Sequence, residues 1–200
     1  MKKILVLLAA ASLAGCSLFQ RTVFQESFDS LESFQANWDT KKYKAPGNII
    51  YAESAGIEKS GCVKITSRRP TYLSAKSSIA GLVPGKLYRV SAMVKSKDVK
   101  NGSGGAIFVA KDGEQQKWNC SESMLGTNKE WQEIYVDFVA DESGMAMICC
   151  GLGAPWDSGI KSVGTVWFDD LTVKRAPFSA SYNPESERLL TVVEEEPIEE

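Results

Sequence analysis

From about residue 22 to residue 175 the chain is a series of short apolar runs alternating with period two, cut by Gly, Asn, Asp, Ser and Pro. That pattern leaves little room for anything but β-strands, because a strand turns successive side chains to opposite faces. In Gly61–Thr66, Val63 and Ile65 share one face while Lys64 and Thr66 share the other. In Leu87–Lys95, Tyr88, Val90, Ala92 and Val94 point inward, and Arg89, Ser91 and Lys95 outward. Trp131–Val139 repeats this, with Ile134, Val136 and Phe138 inward and Glu133, Tyr135 and Asp137 outward. Thr165–Val173 is a further strand, and others are expected at Asn48–Ala52, Lys76–Ala80, Gly105–Lys111, Gln115–Met124 and Met145–Leu152. Turn chemistry separates them at Pro84-Gly85, Asn101–Gly105, Asp112-Gly113 and Ser143-Gly144. Asp-Gly between two apolar segments marks a hairpin. The one helical stretch expected is short, near Ser30–Ala36. So many short strands imply an all-β sandwich or barrel.

The N-terminus carries a different signal. Lys2 and Lys3 precede an apolar run from Ile4 to Ala14 that only Ser12 interrupts. A membrane-spanning helix needs roughly 20 apolar residues, so the run suits the core of a signal peptide. Leu13-Ala14-Gly15-Cys16 resembles the bacterial lipobox, in which the cysteine becomes the acylated first residue. The expectation is cleavage of residues 1–15, lipid on Cys16, a tether over 16–22 and a folded domain over 23–175. Each buried methylene contributes about 0.8 kcal/mol, so several acyl chains would hold such a protein at a membrane. Ser17 follows the cysteine in place of Asp, which by resemblance to Gram-negative sorting implies the outer membrane.

Charge and composition exclude several chemistries. The chain has 23 basic and 25 acidic residues; without Lys2, Lys3 and the segment from Ala176 onward, 20 basic and 18 acidic remain. That balance implies no basic face and argues against nucleic acid. The absence of histidine removes imidazole metal sites and any catalytic triad with a histidine base. Carboxylates are plentiful, but spacing marks no pair for glycoside hydrolysis, and the reading is of a protein that is not an enzyme. Cys62, Cys120, Cys149 and Cys150 remain after Cys16. Export makes disulfides plausible, and four thiols allow three full pairings. Cys149 and Cys150 are adjacent and should face opposite ways. From Ala176 to Glu200 a Glu-rich, Pro-punctuated stretch is expected to be a disordered acidic tail.

Three segments carry a family likeness. Phe28–Phe34 followed by Trp38, Leu82–Ala92 with its Pro84-Gly85 turn, and Gly164–Val173 with paired Asp169 and Asp170 resemble carbohydrate-binding modules of the family 4/9 type. Trp131 fits the tryptophan opening a late strand there. The resemblance implies a jelly-roll β-sandwich of two antiparallel sheets over nearly the whole folded part. It also implies a structural calcium, with Asp29 and Asp169 as ligands. The alternative at Asp169 is hydrogen bonding to backbone amides or a lysine, since a carboxylate turned toward a core needs some partner.

Sugar recognition uses aromatic faces that stack on pyranose rings beside polar groups that read hydroxyls. Trp38, Trp131 and Trp167 are expected in the core. Trp118, flanked by Gln116 and Asn119, and Trp156, beside Asp157 in a loop, are the candidate platforms, with Tyr72, Tyr135 and Arg89 completing the set. The reading is a membrane-anchored, non-catalytic sandwich that binds an oligosaccharide or polysaccharide. The alternative is a structural or assembly lipoprotein whose sandwich holds a protein partner, which the short tether suits.

Overall fold

The alternation is realised strand by strand in the computed structural model, which describes residues 21–41, 45–111, 117–154, 161–176 and 188–189. In chain order the elements are β1 (Thr22–Glu26), α1 (Leu31–Asn37), β2 (Asn48–Ala52), β3 (Cys62–Thr71), β4 (Leu73–Ala80) and β5 (Leu87–Lys100). They continue as β6 (Gly105–Lys111), β7 (Lys117–Cys120), β8 (Gly126–Val139), β9 (Met145–Leu152), β10 (Ser162–Arg175) and β11 (Arg188–Leu189). One sheet runs β2-β3-β10-β5-β8, with β1 alongside β10; the other runs β11-β7-β6-β9-β4. Every strand pairing is antiparallel.

The inward faces meet in one core. Val63, Ile65, Val90, Val94, Val166 and Phe168 from the first sheet lie among the same buried cluster as Ala75, Ile107, Val109, Ile148, Cys150 and Leu152 from the second. Helix α1 begins where the Ser30 side chain accepts from the Ser33 amide at 3.0 Å, an N-cap that satisfies one otherwise orphaned donor. Its Phe34 packs on Phe28 and Tyr51 with ring centroids 6.3 and 5.9 Å apart, and Trp38 stacks toward Phe28 at 5.4 Å. Trp38 is a core residue, as expected.

Two features depart from simple alternation. Asp170, at φ 45°, forms a β-bulge: Asp169 pairs with Met93, but Thr172 is the next β10 residue to pair, with Ser91. Three β10 residues therefore span what two cover on β5, and the strand changes sides. Trp167 shares the outward side with Thr165 and Asp169, whereas Leu171 and Val173 are buried. That extra residue corrects the expectation that Trp167 and Asp169 turn toward the core: strict alternation would put them on the side of buried Leu171 and Val173. Second, Arg188–Leu189, in the stretch expected to be an unstructured tail, forms a two-residue strand beside β7.

Cys62, Cys149 and Cys150 are free, buried thiols. Cys149 and Cys150 do face opposite ways, Cys150 into the main core and Cys149 onto the far side of the second sheet. Cys120 shares Cys149's side, but both pair with Phe108, one from each flank. Two strand spacings, roughly 10 Å, then separate them, beyond the reach of a disulfide. The expectation of disulfides therefore fails for this pair on geometry.

Candidate functional site

The outer face of the second sheet is where Trp118 lies, and it is not an open groove. Trp118 is only 4 % exposed, packed with Ala106, Phe108, Ala110, Cys149 and Ala154, with Tyr72, Cys120 and Met147 alongside. Trp118 pairs with Ala110 across β6 and β7, so small neighbours leave space for the indole. Gly151 has the same effect for Phe108: a Cβ there would stand 2.5 Å from the ring. Polar neighbours in sequence suggested an exposed Trp118; apolar neighbours in space bury it. Tyr72 is half-buried, its hydroxyl 2.8 Å from Ser74 Oγ, and burial pushes its phenol well above the ordinary value. Asn119 points the other way, toward the main core beside Val109, and is fully buried. Gln116, Trp156 and Asp157 lie outside the described residues, as does Cys16.

The exposed aromatics are on the other sheet. Trp131 and Trp167, expected in the core, are both half-buried on the outer face of the first sheet. Cross-strand register aligns Ile50, Lys64, Trp167 and Lys95 in a row over β2, β3, β10 and β5, and Trp131 of β8 completes it against Lys95. The Lys95 ammonium lies 4.3 Å from the Trp131 ring centroid and 5.4 Å from that of Trp167, and Lys64 Nζ lies 5.6 Å from Trp167. These are cation–π distances. Lys95 Nζ also donates to the Ala55 carbonyl at 2.8 Å, which fixes its position. The next row is polar: Asn48, Thr66, Thr165 and Lys97, with the two threonine hydroxyls 2.8 Å apart. At its edge, Asn48, Thr66, Ser67, Arg68 and Arg69 line an open cleft of about 420 Å³.

Two of the expected ligand residues meet farther along this face. The Arg89 guanidinium stacks 3.8 Å from the centre of the Tyr135 ring, which is 51 % exposed. It also makes a bidentate pair with Asp137 at 2.7 and 2.8 Å. Those hydrogen bonds raise the Arg89 pKa further, and they leave its charge already matched.

Asp169 stays on the outward side, but the Ala55–Ser60 loop closes over it and it is fully buried. Its carboxylate accepts from the Ile57 amide at 2.7 Å, the Ser60 hydroxyl at 3.0 Å and the Asp170 amide at 2.8 Å. Burial raises its pKa, against the lowering effect of those three donors. Hydrogen-bond donors of the kind the alternative reading calls for, two of them backbone amides, therefore meet this carboxylate. Asp29 is exposed and accepts from Ser27. Among the described residues no three Cys, Asp or Glu side chains gather as a metal site. A buried acid that sequence reading missed is Glu26 of β1, which accepts from the Phe28 amide at 3.1 Å and from Ser33 and Asn37.

No protein-family model matches the chain, and no curated protein matches it. Solved structures do. The CBM22-2 xylan-binding domain from Paenibacillus barcinonensis Xyn10C aligns at TM-score 0.54 and 14 % identity, over 77 % of this chain and 99 % of that one. The two share a jelly-roll sandwich fold of two antiparallel sheets. TmCBM61 in complex with β-1,4-galactotriose aligns at TM-score 0.51 and 15 % identity, over 78 % and 99 %. The CBM22-1–GH10 modules of Clostridium thermocellum endo-1,4-β-D-xylanase 10B, complexed with xylohexaose, align at TM-score 0.52 and 19 % identity. There the jelly roll of this chain covers 82 % of itself and 30 % of the partner's length. These likenesses carry the jelly-roll type, and not the family 4/9 subdivision that the sequence motifs suggested.

Proposed function

We propose that this jelly roll is a non-catalytic glycan-binding module, held at the outer membrane by lipid on Cys16. The observation that carries the binding reading is the pair Trp131 and Trp167, half-buried on one open sheet face beside a row of hydroxyl and amide side chains. Indoles in such a setting offer apolar rings to the faces of sugars, and Asn48, Thr66 and Thr165 offer hydrogen bonds to their hydroxyls. The fold supports the reading, because solved structures of the same fold are described as binding xylan or holding galactotriose. Fold alone does not carry function, so the site must be tested directly.

Binding of the full chain, purified in detergent, to a panel of immobilised polysaccharides is the test. Retention by at least one glycan, lost in Trp131→Ala and Trp167→Ala variants that keep the native circular dichroism spectrum, is the expected result. If no polysaccharide retains the protein and a stoichiometric protein partner copurifies from membranes, the assembly reading replaces this one. For the anchor, palmitate labelling that disappears in Cys16→Ser is expected. An unlabelled chain in the soluble fraction would remove it.

A further inference from the structure

We infer that the sugar this face selects is acidic, an inference that rests on the glycan-binding reading and narrows it to a uronate-bearing polysaccharide. Every charged side chain in the two cross-sheet rows is a cation: Lys64 and Lys95 in the aromatic row, Lys97 in the polar one. Arg68 and Arg69 stand exposed in the adjoining cleft. The acids alongside are exposed Glu130, next to Trp131, and Glu133, opposite Met93, while Asp169 is enclosed by its own donors and Asp137 is paired with Arg89. Five cations thus gather along one stripe of a chain whose formal net charge is −2.

The position of the ammonium groups matters more than their number. A lysine against an indole takes up part of the ring face, so a neutral pyranose loses stacking area there. The same lysine puts a positive charge where a sugar substituent would come to rest. Lys64 and Lys95 flank Trp167 from the strands on either side, two strand spacings or roughly 10 Å apart. The Ala55 carbonyl holds Lys95 in place, so little side-chain freedom is lost when a carboxylate pairs with it. Neutral sugars meet an obstructed platform; uronates meet a prepared one.

The test compares polygalacturonate with its methyl ester, which shares the backbone and lacks the charge, using the full chain in non-ionic detergent. The expected result is binding of the acid about tenfold tighter than the ester, weakening as salt shortens the screening length. Lys64→Met with Lys95→Met should abolish the difference, and Lys64→Arg with Lys95→Arg should retain it, which separates charge from folding. Equal binding of acid and ester would overturn the acidic preference and leave glycan binding standing. Polyglutamate bound as tightly as polygalacturonate would overturn it too, since charge without sugar would then suffice. Binding to neither polysaccharide, nor to any other in the panel, would remove both readings.

Discussion

The Lys95 ammonium lies 4.3 Å from the centre of the Trp131 ring and 2.8 Å from the Ala55 carbonyl oxygen. One side chain thereby ties β8 to the loop that closes over Asp169. Replacing it with methionine keeps the apolar stem and removes both attractions. The loss should be about 1 to 2 kcal/mol, or roughly 3 to 6 °C in Tm for a domain of this size. A thermal melt of Lys95→Met that matches the parent would mean the contact carries no stability.

Asn119 is fully buried, and neither its amide nitrogen nor its oxygen has a hydrogen-bond partner. An unmatched buried amide is a standing penalty of about 1 to 3 kcal/mol. Asn119→Leu should therefore raise Tm, while Asn119→Asp should lower it sharply by burying a charge. Urea unfolding of the leucine variant with a midpoint below the parent would show that the amide has work in the folded state.

Burial pushes the Cys62 thiol from 9.0 up to about 11 and the Cys149 thiol up to about 12, and Cys150 well above 9.0. These folded-state values are raised, so above pH 9 the unfolded chain loses protons that the folded chain keeps. Their contribution is then intact below pH 9 and declines as pH climbs toward 11 to 12. Tm should fall steeply over that window, and less steeply in Cys149→Ala. At pH 8 buried Cys149 should resist a maleimide in the native protein and react once urea unfolds the chain; modification of Cys149 in the native protein would contradict the burial.

Asp169 holds the Ile57 amide and the Ser60 hydroxyl. Asp169→Ala leaves those donors without an acceptor, at about 1 to 3 kcal/mol, and should speed hydrogen exchange across Ala55–Ser60. Because hydrogen bonds already satisfy the carboxylate, calcium and a chelator should give the same Tm. A rise of several degrees in calcium, absent from Asp169→Asn, would instead support the cation that the family resemblance implies.

Deleting Asp170 should leave the sandwich folded, since without the extra residue strict alternation keeps Trp167 outward and carries Leu171 and Val173 inward in the same register. Asp170→Gly keeps the extra residue and relieves the φ of 45°, so it should be neutral or gain about 0.5 kcal/mol. Native-like circular dichroism from both variants is expected, and loss of the spectrum on deletion alone would show that the fold needs the bulge itself.

Much of the fold was legible because a strand's period is a local property. Asn48–Ala52, Gly105–Lys111 and Met145–Leu152 were read to the residue, and α1 differs from the expected Ser30–Ala36 by one position at each end. Alternation also placed Arg89, Tyr135 and Asp137 outward, where they meet. The same parity on β8 puts Trp131 outward with Glu133 and Tyr135, and only the weight given to a family pattern assigned it to the core. Trp167 was harder. Its signal is the Asp169-Asp170 pair, and nothing local says that one of those two residues is inserted.

What the sequence by itself determined is the set of strands, their breaks and, wherever alternation runs unbroken, the side that each residue takes. Which outer face would stay open was a matter for the tertiary structure alone. Both sheets carry aromatic residues outside the core, yet Trp118 is covered and Trp131 and Trp167 are not. Exposure depends on which segments, distant in sequence, come to rest on a face, and side-chain parity along a strand contains no information about them.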